Sequence, residues 1–195
     1  MPDDACDPFA AFDKVFAEAE ATGMADPNAM LLATAAADGQ PSSRVVLLKH
    51  VDERGFVFYT NLESRKAREI RANPKVSMTF FWRRLGKQVH VRGRAEQVSD
   101  EEADAYFASR PRGSQIGAWA SRQSRPLKSR AELLKAIAKV EARFLGRPVP
   151  RPPHWSGFRV VPHFFEFWVS GTFRLHDRTT YERQGDGWRR YKLYP

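Results

Sequence analysis

Three groups of cations and hydroxyls in this sequence are spaced to receive an anion. In the first, Arg44 and Lys49 bracket the apolar run Val45, Val46, Leu47 and Leu48, and Tyr59-Thr60 and then Ser64-Arg65-Lys66 follow. Cations at strand ends and at a helix start can converge on one phosphate, because the first N–H groups of a helix carry positive dipole character and arginine grips phosphate with two parallel bonds. In the second group Tyr106, Arg110, Arg112 and Ser114 lead into Gln115-Ile-Gly-Ala-Trp119 and Arg122-Gln123-Ser124. A phenol, a guanidinium and a hydroxyl so placed suit a second phosphate. The third is Phe173-Arg-Leu-His-Asp-Arg178, preceded by Trp168. Read as a strand, it sets Arg174, His176 and Arg178 on one face, a row of like charges that an anion would relieve. Plainer readings fit the same spacing: solvated charge flanking buried strands, or a capped helix end with a surface ion pair. Spacing alone does not choose.

Other chemistries lack their signatures. No Gly-x-Gly-x-x-Gly opens a helix, and there is no phosphate-loop lysine, nucleophile-elbow serine or Cys/His pair at metal spacing. His50, His90, His154, His163 and His176 are singletons, and Cys6 is the only cysteine. Catalysis would therefore need a borrowed cofactor. The formal net charge of +9 asks for anionic company, whether nucleic acid, acidic lipid or phosphorylated small molecules. A basic run, zinc-finger spacing or RNA-binding motif would favour nucleic acid, and none occurs.

The elements that must position these groups follow from capping and periodicity. Asp7 caps a first helix whose Phe9, Phe12, Phe16 and Ala19 recur at helical spacing, with Gly23 ending it. Strand-like runs follow at 31–36, 44–51, 56–60, 76–82 and 88–98, with Asp38-Gly39 as a hairpin signal. Ser64 caps a short helix over 64–73, and capping boxes at Ser99/Glu102 and Ser129/Glu132 announce two more, the last running to about residue 145. Strands resume at 160–169, 172–175, 180–183 and 188–194, with Asp186-Gly187 turning the final hairpin. The chain thus reads as mainly β with inserted helices (α+β), a closed or nearly closed barrel in one domain over 1–195, with an N-terminal helical segment (1–25) and a helical insertion (99–146). Its 195 residues, 42% hydrophobic and 28% charged, suffice for a core without disulfide or metal staples. No apolar run approaches the roughly 18 residues of a spanning helix, and the Met-Pro-Asp-Asp start lacks a secretory pattern, so a cytoplasmic location is expected.

Taken jointly, 44–49, Tyr59-Thr60-Asn61, Ser64-Arg65-Lys66-Ala67, Arg110-Pro-Arg-Gly-Ser-Gln-Ile-Gly-Ala-Trp119, Gln123-Ser124, 173–178 and the ending Leu193-Tyr-Pro195 resemble the pyridoxamine 5′-phosphate oxidases in order and spacing. The resemblance covers residues 26–195. It implies an FMN-binding split β-barrel, homodimeric, with each flavin at the subunit interface and with segments 44–66 and 123–178 drawn from different subunits. It also implies roles. Arg44, Val45, Val46, Leu47, Leu48, Lys49, Tyr59, Thr60, Arg65, Lys66, Gln88, Gln123, Ser124, Trp168 and Arg178 belong to FMN binding. Lys49, Tyr106, Arg110 and Ser114 hold the substrate phosphate. Arg174, Leu175 and His176 lie over the substrate ring, with Arg174 and His176 as the catalytic pair.

The implied reaction oxidises pyridoxamine or pyridoxine 5′-phosphate to pyridoxal 5′-phosphate: a hydride equivalent passes to the flavin, and O2 reoxidises it to give H2O2. Family members commonly carry an N-terminal Arg-x-x-Tyr stretch that folds over the site; this sequence begins close to its first helix without that stretch, while Asp26 matches the family's acidic position near the substrate, so the departure is partial. The rival readings are a related flavin oxidase of phenazine-biosynthesis type, a flavin- or haem-binding barrel without catalysis, and a basic nucleic-acid module. The first has no use for a phosphate cradle, and the others leave Arg174 and His176 unexplained.

Overall fold

The computed structural model describes residues 7–195, so Cys6 lies outside it. Helix α1 (Pro8–Ala21) starts where the Asp7 carboxylate accepts from the Phe9 N–H and Pro8 occupies the first turn, and it ends before Gly23, at φ +64. Its apolar stripe enters the concave side of the sheet: Phe12, fully buried, meets Phe56, Phe80 and Trp82 at ring centroids 4.9, 5.1 and 6.3 Å away. This aromatic cluster is the centre of the main core.

Among the described residues the strands are β1 (Ala29–Ala35), β2 (Pro41–Leu47), β3 (His50–Asp52), β4 (Gly55–Asn61), β5 (Lys75–Trp82), β6 (Lys87–Gln97), β7 (Trp155–Val169), β8 (Asp177–Gln184) and β9 (Gly187–Lys192). They form one antiparallel sheet in the order β2-β1-β5-β6-β7-β4-β3, with β8 added to β7 and β9 to β8. β2 and β3 stand at the two ends of that order, yet only Leu48 and Lys49 separate them in the chain. The Leu48 N–H donates to Asn28 O and the Lys49 N–H to Val57 O, so the sheet curls until its ends meet at this crossing. The result is a barrel whose ladder stays split between β2 and β4. Curling also requires Gly93, where the β6/β7 register shifts: a Cβ there would lie 2.5 Å from Val161 O.

Helix α2 (Arg65–Ala72) is capped by Ser64, whose hydroxyl accepts from the Ala67 N–H. Between β6 and β7 run α3 (Asp100–Ser109), α4 (Arg112–Ala120) and α5 (Arg130–Arg143), with Ser99 and Ser129 capping the first and third as the sequence predicts. Helix α4 was not expected, because Gly113, Gly117 and Trp119 are poor helix formers and its N-cap is Pro111, which offers no side-chain bond. Tertiary contacts hold it instead: Ile116 is buried, the Gln115 amide donates to Phe107 O, and the Trp119 indole donates to Pro150 O.

Three expectations need correction. The 44–51 strand stops at Leu47, because Leu48 and Lys49 make the crossing just described. The last hairpin turns at Gly185-Asp186, one residue early, with Gly185 at φ +59. Residues 172–175 form no strand: Thr172–Arg174 is a 3-10 turn with Phe173 at φ 56 and Arg174 at φ 65. Gly171 lets that turn close, since a Cβ there would lie 1.9 Å from Leu175 O. Arg174, His176 and Arg178 therefore do not line one strand face; only Arg178 sits in β8, and the alternation of Phe173 and Leu175 with cations mimicked a strand.

Replacing Phe12 by Ala empties the centre of the aromatic cluster and should cost about 3–5 kcal/mol of unfolding free energy, read from denaturant midpoints at constant slope. A loss below about 1 kcal/mol would contradict the placement of α1 in the core.

Candidate active site

A hollow of about 510 Å³ opens between β2, β4, α3 and α4, beside the crossing that closes the barrel. From β2 and the crossing come Val45, Val46, Leu47 and Lys49; from β4, Tyr59, Thr60 and Asn61; from α2, Lys66; from the insertion, Tyr106, Arg110, Ser114, Ser121 and Gln123. Thus most residues that the sequence singled out in its first two groups share one cavity.

Three rings that line the hollow lie nearly parallel. Tyr59 stacks on Tyr106 at 4.0 Å and on Trp155 at 5.3 Å, with interplanar angles of 14° and 6°. Gly157 makes room, since a Cβ there would meet the Tyr59 ring at 2.8 Å. Burial, with Glu102 and Tyr106 adding to it, pushes the Tyr59 phenol up to about 12, so it remains a hydrogen-bond donor at neutral pH. The Arg110 guanidinium lies 4.7 Å from the Trp155 centroid, and its Nη1 is buried with no hydrogen-bond partner among the described residues. Burial lowers its pKa, but arginine stays charged. A buried N–H of a cation left unbonded is costly, and an anion beside Lys49, Tyr106 and Ser114 would satisfy it. Arg112, by contrast, is spent on the carbonyls of Phe144 and Arg147.

The start of α2 gathers the second set of cations, of which Lys66 lines the hollow. The Lys66 ammonium donates to Thr60 Oγ1 (3.2 Å) and Gln123 Oε1 (3.1 Å), and burial, then the charge of Arg44, lowers its pKa. The Arg65 N–H donates to Ser124 Oγ at 3.1 Å. Behind them stands Glu69, 6% exposed, whose carboxylate accepts from Ser42 (2.6 Å), Thr34 (2.5 Å), Arg65 Nε (2.8 Å) and Arg44 Nη2 (3.3 Å). Burial would raise its pKa, but the bonds from Ser42, Thr34 and Arg65 and the charge of Arg44 outweigh it and hold Glu69 at about 2.

The remaining predicted residues lie elsewhere. Leu48 is buried in the main core. Gln88 faces Trp168 across β6/β7, Trp168 faces Arg178 across β7/β8, and the His176 ring lies 4.5 Å from that of Trp168. The Gly171 N–H donates to His176 Nδ1 (3.2 Å), which leaves Nε2 as the protonated nitrogen of the neutral ring. Arg178 is held by Glu166 at 2.7 Å and by Tyr194 O. None of these, nor Arg174 and Leu175, lines the hollow. The expected division of segments is thereby corrected: Gln123 and Ser124 sit with 44–66 in the same chain, and the separate group is 168–178 with Gln88.

Sequence reasoning gave no role to Trp155 or Glu69, and it quoted Asn61 only as part of a motif. A tryptophan after Pro152-Pro153 has no diagnostic spacing, and nothing in the sequence marks Glu69 within its helix. A backbone signal does mark the predicted sites: Asp26 (φ 48), Ser124 (φ 67) and Arg174 (φ 65) all adopt the left-handed conformation that non-glycine residues avoid.

Residues 16–144 match the model of the family described as pyridoxamine 5′-phosphate oxidase, and 155–195 match that of the pyridoxine 5′-phosphate oxidase C-terminal dimerisation region. The chain belongs to the pyridoxamine 5′-phosphate oxidase family. Relatives named pyridoxine/pyridoxamine 5′-phosphate oxidase include that of Rubrobacter xylanophilus, 59% identical over 97% of this chain and 87% of that protein, and that of Rhodospirillum rubrum, 56% identical over 97% and 96%. Among solved structures, PhzG from Burkholderia lata 383 in complex with tetrahydrophenazine-1-carboxylic acid superposes with a TM-score of 0.92 at 36% identity, covering 97% of this chain and 93% of that one. A pyridoxamine 5′-phosphate oxidase-related, FMN binding protein from Nostoc punctiforme shares the fold, with a TM-score of 0.78 at 14% identity over 97% of this chain and 98% of that one.

Because Glu69 is held well below its ordinary pKa, its ionised form contributes stability that is present above about pH 4.5 and is lost as pH falls towards 2. Glu69→Gln should therefore be less stable than the parent at pH 7, and the gap should narrow on acidification below about pH 4.5. Urea titrations at pH 7 and pH 3 check this; a gap independent of pH would contradict it.

Proposed function

We propose that the protein oxidises pyridoxamine 5′-phosphate and pyridoxine 5′-phosphate to pyridoxal 5′-phosphate, with FMN as redox cofactor and O2 as acceptor. The observation that carries this reading is a hollow lined by two groups of cations: the unsatisfied Arg110 guanidinium with Lys49, Tyr106 and Ser114, and Lys66, which joins the hollow to the α2 start with Arg65 and Ser124. A phosphorylated cofactor and a phosphorylated substrate need two such sites on one cavity. The tetrahydrophenazine-1-carboxylic acid bound by PhzG carries no phosphate, which makes the phenazine-type reading the weaker one.

The residues present fit FMN. Lys66, Arg65, Thr60, Gln123 and Ser124 would hold its phosphate, with Arg44 adding charge from behind, and Val45, Val46, Leu47 and Tyr59 would shape the floor for its ring. When bound, FMN supplies the acceptor for a hydride equivalent and passes the electrons on to oxygen. The protein's part is to grip the substrate phosphate through Arg110, to keep Tyr59 protonated, and to exclude water with the stacked rings.

Gln88, Trp168, Arg174, Leu175, His176 and Arg178 act across a homodimer, each protomer completing its partner's site. Two features support this. Trp155 and Trp168 lie at opposite ends of β7, which at about 3.3 Å per residue puts roughly 40 Å of strand between the hollow and the second group. Exposed Val45, Phe81, Phe173 and Leu175 give the chain an apolar surface that a partner would cover. In that arrangement Arg174 and His176 stand over the substrate ring, His176 offering its Nε2–H.

Purified protein supplied with FMN should form pyridoxal 5′-phosphate from both substrates in air. Arg110→Ala should raise KM for pyridoxamine 5′-phosphate by about tenfold or more while kcat moves less, since the phosphate is gripped alike before and during the reaction. An unchanged KM would remove Arg110 from the substrate site.

A further inference from the structure

We propose that Glu69 is a positioning residue that makes the α2 cradle selective for a phosphate monoester, an inference that rests on the FMN reading above. Its two carboxylate oxygens are divided between the arginines: Oε1 takes Arg65 Nε and Oε2 takes Arg44 Nη2. The second oxygen also accepts from Thr34 and Ser42, which themselves receive Arg44 Nη1 and Nη2. Glu69 thus ties β1, β2 and α2 together behind the cradle. Both terminal nitrogens of Arg44 are committed to protein acceptors, so Arg44 supplies charge rather than a free fork. Among the described residues the Arg65 side chain, 58% exposed, is bound only through Nε, so its terminal nitrogens remain available near the start of α2.

Charge counting points the same way. Arg44, Arg65 and Lys66 with one carboxylate leave two net positive charges, matched to the charge of about −1.5 to −2 on a phosphate monoester at neutral pH. Without the carboxylate the three cations would repel one another, and the exposed Arg65 would swing into solvent. The residue touches neither substrate nor cofactor in this account; it acts through the arginines.

The test titrates the full chain with FMN and with riboflavin, which lacks the phosphate, following flavin fluorescence. Glu69→Gln should weaken FMN binding by about tenfold or more and leave riboflavin binding unchanged, collapsing the preference for the phosphorylated flavin. Ser42→Ala, which keeps every charge, should shift FMN in the same direction by a smaller factor and also spare riboflavin. Equal losses for both flavins would mean a structural role only and would overturn the proposal, as would unchanged or tighter FMN binding. A parent protein with no preference for FMN over riboflavin would overturn the underlying FMN reading, and this proposal with it. Because Ser42→Ala disturbs the fold least, its flavin ratio decides the matter if Glu69→Gln does not fold.

Discussion

The position of β7 in the sheet governs what the molecule can do. Fifteen residues long, it pairs with β4 along its first half, with β6 along nearly all its length and with β8 along its second half. No other strand pairs with three neighbours among the described residues. Its first residue, Trp155, supports Tyr59 and Arg110 in the hollow, and Trp168 near its end anchors His176 and Arg178. The length of this strand holds those two groups apart. Val45, Phe81, Phe173 and Leu175 remain exposed on the chain.

Electrostatics is then arranged around a surplus of cations rather than around an acid–base pair. The cations of the hollow and of the α2 start differ in how they are satisfied: Arg44 and Arg65 are paired to Glu69, Lys66 rests on neutral oxygens, and Arg110 keeps one nitrogen unbonded among the described residues. Burial lowers the pKa of both Lys66 and Arg110, which is the expense of holding charge in a partly dry cavity before any anion arrives. Such preorganised charge is the environment that a phosphate anion would stabilise.

Much of this was legible in the sequence, and the reasons are local. Asp7, Ser64, Ser99 and Ser129 each cap the helix they announced, because a side-chain oxygen three residues or fewer before a free N–H is a self-contained signal. Lys49, Tyr59, Thr60, Lys66, Tyr106, Arg110, Ser114 and Gln123, which the sequence singles out in two separate groups, line one hollow. What stayed hidden depends on distant partners. Helix α4 is held by Phe107 and Pro150 against its own propensity, the 172–174 turn depends on backbone closure at Gly171, and Glu69 acquires its role only when β1 and β2 fold against α2. Alternation and capping cannot register such contacts.

The central claim is that the hollow selects a phosphorylated substrate at Arg110 for oxidation by a flavin held at α2. Anaerobic mixing of the FMN-loaded protein with pyridoxamine 5′-phosphate or with unphosphorylated pyridoxamine, following the loss of flavin absorbance, tests it directly. The account predicts rapid bleaching by the phosphate ester and, at equal low concentration, bleaching slower by about a hundredfold or more with pyridoxamine, the loss of at least two charge-assisted bonds. Equal rates for the two, or no bleaching by the ester, would contradict it.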